Sequence, residues 1–144
     1  MLFRSHDQRG VPLVEAFAAR LRLPNAQKEL ALAVTRDHLL VHRVAELRPG
    51  TLLEMLERLR AFQRGGFFDD ALNACLCDAR GRLGKEQCEY PPVDYLRAAR
   101  EAAAAIQAGE VVAAGFSGPA VGEELRKRRT ERLGQWKASR ETQA

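Results

Sequence analysis

Apolar residues recur three and four positions apart along most of the chain, the spacing of an amphipathic helix rather than the alternation of a strand. Val14, Phe17, Ala18 and Leu21 form the first such stripe, with Pro12 in its first turn and Pro24 closing it. Asn25 is then the expected N-cap of a second helix, whose face holds Leu30, Val34, His38 and Val41. Pro49 opens a third helix bearing Leu52, Leu53, Leu56 and Leu59. Gly65-Gly66 reads as a hinge. Beyond it Phe68, Leu72, Cys75, Leu76 and Ala79 predict a fourth helix that Gly81 stops. Pro91-Pro92 bars a helix from running through "GRLGKEQCEYPP", the longest irregular stretch. The alanine-rich "VDYLRAAREAAAAIQAG" predicts a fifth helix ending at Gly109. "GFSGPAVGEELRKRRTERLGQWKAS" predicts a long basic last one, with "SRETQA" as a frayed tail. The expected fold class is all-α, with about six helices.

Composition agrees. Of the 144 residues 46% are hydrophobic but only 6% aromatic, so alanine and leucine supply the core. No stretch approaches the ~20 apolar residues that span a bilayer, and "MLFRSHDQRG" is too short and polar for a signal peptide, so a cytoplasmic protein without membrane contact is expected. Three cysteines, Cys75, Cys77 and Cys88, are too few and too oddly numbered for a disulfide scaffold. Cys75-x-Cys77 lacks the second pair of soft ligands a structural zinc requires. The net charge of +4 is compatible with a polyanionic partner.

Candidate chemistry rests first on the three histidines, His6, His38 and His42. His38 and His42, four apart, project from one helical face, and His6 could approach from the preceding segment. The alternative is that His38, on the stripe of Leu30, Val34 and Val41, is a satisfied, partly buried histidine. His6-Asp7 sits in a polar, glycine-flanked stretch poorly suited to fixing a metal.

Six segments occur in one order: "SHDQRG…LRLPN", "RDHLLVH", "LRPGTLLEMLERLRAFQR", "CDARGRLGKE", "YPPVDYLRAA" and "GFSGPAVGEELRKRRTERLGQWK". Together they resemble the C-terminal part of the bacterial CCA-adding enzymes, the tRNA nucleotidyltransferases, from about His6 to Lys137. The resemblance implies that residues 1–62 are the C-terminal portion of an HD phosphohydrolase-like domain and residues 63–144 a helical, tRNA-binding tail. His6 matches the histidine of the family's "GHExxG"-like stretch, and His38 and His42 match later histidines of the same domain, so the three form a partial remnant of a metal site. The family's "HDLGK"-like segment and its nucleotidyltransferase head have no counterpart in this sequence.

The intact family uses Mg²⁺ for nucleotide transfer and a divalent metal, Ni²⁺ or Mg²⁺, in the HD domain. For the present residues no catalytic group and no tightly held cofactor are expected. The implied partner is the acceptor and T-arm half of tRNA, with a separately encoded head as a second possible partner. The candidate RNA-binding residues are Arg80, Arg82, Arg126, Lys127, Arg128, Arg129 and Arg132, with the free N–H groups after Gly118-Pro119 as a further phosphate site. Arg80 and Arg82 could equally staple the loop through Asp78 and Glu86, and Trp136 and Lys137 are expected to anchor the last helix to the body. Two other readings stay open on the residues alone. One is a small metal-dependent phosphohydrolase built on His6, Asp7, His38 and His42; the other is a helical module that docks on a protein.

Overall fold

The computed structural model describes residues 6–143, and of His6, Asp7 and Gln143 the backbone alone. Among the described residues there are seven α-helices, one 3-10 turn and no strand: α1 (His6–Leu21), α2 (Asn25–His42), the 3-10 turn Val44–Glu46, α3 (Pro49–Arg58), α4 (Phe67–Arg80), α5 (Pro91–Ala104), α6 (Ala108–Ala113) and α7 (Pro119–Gln143). None is long and apolar enough to cross a membrane. The six helices expected from the apolar spacing are present, and α6 is the addition.

Four details differ from the expectation, each for a local reason. The first helix begins six residues before Pro12, which lies inside it. The carbonyl that Pro12 leaves without a backbone donor belongs to Gln8, on an exposed turn where water can replace the bond. Gly10 permits this early start, because a Cβ there would meet Thr35 Cγ2 at 2.7 Å, so the two helices cross on a bare backbone. The N-cap of α2 is Pro24 rather than Asn25; its carbonyl accepts from Lys28 N at 3.0 Å, closing the first turn without a side-chain cap. Likewise α5 stops at Ala104, and Gly109 falls within α6, which tucks Val111 into a fully buried position. The tail is helical through Gln143, with Thr142 Oγ1 donating to Ala138 O at 3.0 Å.

One continuous apolar cluster includes residues from both sides of Gly65-Gly66. Val41, Leu52, Leu53, Met55 and Leu56 meet Phe68, Leu72, Leu96, Ala99 and Leu133, all buried. Gly65 turns the chain between α3 and α4 at φ +112°, a conformation only glycine adopts without strain. Pro49 at the start of α3 is packed near Gly134 of α7, and Leu133 beside it is fully buried, so the basic helix lies against the body. By contrast α1 packs chiefly on α2. Its outer stripe is open to solvent, with Leu13 72% and Phe17 and Leu21 each 51% exposed.

Candidate functional site

The helical spacing of His38 and His42 brings their rings together edge to face, centroids 5.9 Å apart. Both rings are hydrogen-bonded within the protein. His38 Nδ1 lies 3.0 Å from Val34 O and 3.1 Å from Thr35 O, so it donates to its own helix backbone. His42 is bound at both nitrogens. Nε2–H donates to Asp78 Oδ2 at 2.9 Å, and the Tyr90 hydroxyl, 2.6 Å away, donates to Nδ1. Burial, with Cys75 and Asp78 nearby, raises the Tyr90 pKa, which keeps that hydroxyl a donor. The arrangement ties α2 to the end of α4 and the start of α5.

His42 could accept a metal only by giving up one of these bonds. No group of three or more His, Cys, Asp or Glu side chains converges to hold an ion among the described residues. His38 and His42 supply two of the three histidines of the candidate metal set, and the third, His6, has its side chain outside the described residues. Beside the pair, Cys75 is buried, and burial with Asp78 and Asp37 nearby pushes its thiol up to about 12. No sulfur is in a disulfide; Cys77 is exposed and Cys88 half-buried.

The expected RNA-binding residues separate into two sets. On α7, positions 126, 129, 133, 136, 137 and 140 share one side of the helix, and that side faces the body. Arg126 Nε donates to Glu57 at 3.0 Å. Arg129 Nε donates to Ile106 O at 3.2 Å, with its guanidinium 4.2 Å over the Phe62 ring. Lys137 Nζ donates to the carbonyls of Ala45 (2.8 Å) and Leu47 (2.7 Å), clasping the 3-10 turn, and Trp136 packs edge to face on Tyr95. These two are the anchors the sequence suggested. Lys127 and Arg132 point outward, exposed and without an ion pair among the described residues. Arg128 lies between them, bound to Glu124 at 2.7 Å.

The "DARGR" arginines divide similarly. Arg80 Nε donates to Cys88 O at 3.2 Å across the loop, the stapling role, though to a carbonyl and not to Asp78 or Glu86. Arg82 is exposed and lines, with Lys85 and His42, a depression of about 410 Å³. Glu86 instead accepts from Gly84 N at 3.1 Å; its own and Gly84's backbone N–H groups hold its carboxyl below the usual range.

Sequence reasoning missed the buried Asp37. It is 3% exposed and receives Arg58 through Nη2 at 2.7 Å and Nε at 3.2 and 3.3 Å. Its signal was available: an acidic residue one turn from Val34 and Val41 on an apolar face requires a cation opposite. It also missed the arginines that lie over aromatic rings, Arg60 on Phe67 at 4.3 Å and Arg100 on Phe68 at 5.0 Å. Arg100 and Phe68 are too far apart in the chain for any spacing rule, and Arg60 and Phe67 lie on either side of the Gly65-Gly66 turn, which breaks the helical period.

No family profile matches the chain, and no solved structure does. Curated relatives do. The chain is 49% identical over 133 residues to the "Multifunctional CCA protein" of Thioalkalivibrio sulfidiphilus, covering 92% of this chain and 32% of that one. The proteins of the same name from Nitrosococcus oceani and Alkalilimnicola ehrlichii are 48% and 46% identical over 130 and 129 residues. Each match covers 90% of this chain and 32% and 31% of the relative, so the chain spans about one third of the length of the curated relatives it matches. At 46–49% identity over nine-tenths of its length, the chain thus corresponds to the C-terminal part of the multifunctional CCA proteins.

Proposed function

We propose that this chain is the tRNA-binding helical part of a CCA-adding enzyme, acting in the cytoplasm. The observation that supports it is the identity of nearly half its residues with multifunctional CCA proteins across nine-tenths of its length. In this reading residues 1–62 are the end of an HD-like domain and residues 63–144 the tail that grips the acceptor and T-arm half of tRNA. Nucleotide transfer belongs to a nucleotidyltransferase head, in the same or a separate polypeptide. The outward cations, Lys127 and Arg132 on α7 and Arg82 on the loop, are the groups that would meet a phosphate backbone, with the half-buried Arg128 joining them on release from Glu124. Such contacts give affinity and register, while helical shape supplies the selectivity.

The test is filter binding of the purified chain to tRNA and to a random RNA duplex across a salt series from about 50 to 200 mM. Preference for tRNA is expected, with log affinity falling against log salt at a slope of about −3 for three to four neutralised phosphates. Equal affinity for both RNAs, or no binding at the lowest salt, refutes the reading.

A further inference from the structure

Two of the surface depressions hold charges in balance. The one below Tyr90 sets Arg80 and Arg140 against Glu89 and Asp94, and the one at the start of α7 sets Arg126 and Arg129 against Glu57 and Glu123. The depression between the end of the α3 segment, α5 and α7 is different. It is about 290 Å³ in volume, and its charged wall residues are Arg64, Arg100 and Arg129 against a single carboxylate, Glu101. None of the three guanidiniums is in an ion pair among the described residues. Arg129 gives its Nε to the carbonyl of Ile106 and lies on Phe62; Arg100 lies on Phe68; Arg64 is exposed.

We infer that this depression is a phosphate-binding site formed by Arg64, Arg100 and Arg129. Three features support it. Two of the guanidiniums are oriented by aromatic rings at 4.2 and 5.0 Å, which fixes them before any ligand arrives. Arginine forks match phosphate oxygens in a way a lysine cannot. Burial lowers the Arg129 pKa, opposed by Glu57, itself bonded to Arg126, so an anion beside that guanidinium is favoured. Arg64 and Arg100 lie outside the basic stretch of α7, so sequence clustering gives no hint of them. The inference does not require the ligand to be tRNA: a phosphodiester of an RNA backbone and a free phosphate present the same oxygens.

The experiment follows the arginine Nε–H resonances of the whole chain by NMR while inorganic phosphate replaces chloride at constant ionic strength. The resonances of Arg64, Arg100 and Arg129 should move together with one dissociation constant on the order of 1 mM, while Arg20 on α1 stays still. Arg100→Gln should weaken that constant about tenfold. Arg64→Gln, at an exposed position where folding is not at stake, should do the same. A second titration with tRNA separates the sources. Movement of the same three resonances, with a salt slope shallower by about 1 in Arg100→Gln, assigns the site to an RNA phosphate. If phosphate moves them and tRNA does not, the site takes free phosphate. If phosphate leaves them unmoved, or moves Arg20 equally, the inference is overturned, whatever the tRNA result says about the proposed function.

Discussion

Replacing Arg58 with methionine strands the Asp37 carboxylate. That carboxylate is 3% exposed and takes contacts from two nitrogens of the guanidinium, the shorter 2.7 Å, while the arginine side chain is 43% exposed. The same bond raises the Arg58 pKa above the ordinary arginine value. Removing one partner of a buried pair costs about 3–5 kcal/mol. Water reaching the half-open arginine side softens this, so about 2–3 kcal/mol is expected here. In a domain of this size that lowers Tm by about 5–10 °C. Urea unfolding followed by circular dichroism should show the midpoint shift with an unchanged m-value. The double variant Asp37→Leu/Arg58→Met, which removes both charges, should recover to within about 1 kcal/mol of the parent. A cost below about 0.5 kcal/mol for Arg58→Met would show that water solvates Asp37, and that the pair does not lock α2 onto α3.

Other outcomes follow from the same structure. Lys137→Met removes two charge-assisted bonds to the 3-10 turn and should cost about 1–2 kcal/mol, measured by the same unfolding assay; no change would mean α7 is held by Leu133 and Trp136 alone. Iodoacetamide should label exposed Cys77 in the native protein and reach Cys75 only after unfolding, read by peptide mass mapping. The protonated Cys75 thiol is favoured in the fold, since burial raises its pKa from 9.0 to about 12. Its contribution is whole below pH 9 and is lost as pH rises toward 12, so urea midpoints should fall over that window and fall less in Cys75→Ala. Phe17→Ser, at a half-exposed position, should change stability by less than about 1 kcal/mol; a larger loss would mean the α1 stripe is covered in solution.

The helices were legible because burial imposes the 3.6-residue period directly. Leu52, Leu53, Leu56 and Leu59, read as one face, are all at most 1% exposed. Helix ends were less legible: Gly109 falls within α6, which buries Val111, and the exposed "SRETQA" tail continues the α7 helix through Gln143. The basic run of α7 could be read as a run but not divided. Which cation faces Glu57, Ile106 O or solvent depends on the rotation of the helix about its axis, and Leu133 and Trp136 decide that. The histidine pair was placed together correctly by spacing. Its partners, Asp78 and Tyr90, lie 36 and 48 residues away, beyond any periodicity. Clusters such as Arg64, Arg100 and Arg129 draw one residue from each of three segments, so only the folded chain brings them into view.

The proposed function depends on where an RNA lies on this surface. Hydroxyl-radical footprinting of tRNA bound to the purified chain reads that directly, because it reports backbone protection nucleotide by nucleotide. Protection confined to the acceptor and T arms, and diminished by joint Lys127→Gln and Arg132→Gln substitution, is the expected result. Protection of the anticodon arm, or none at concentrations where filter binding retains tRNA, would contradict it.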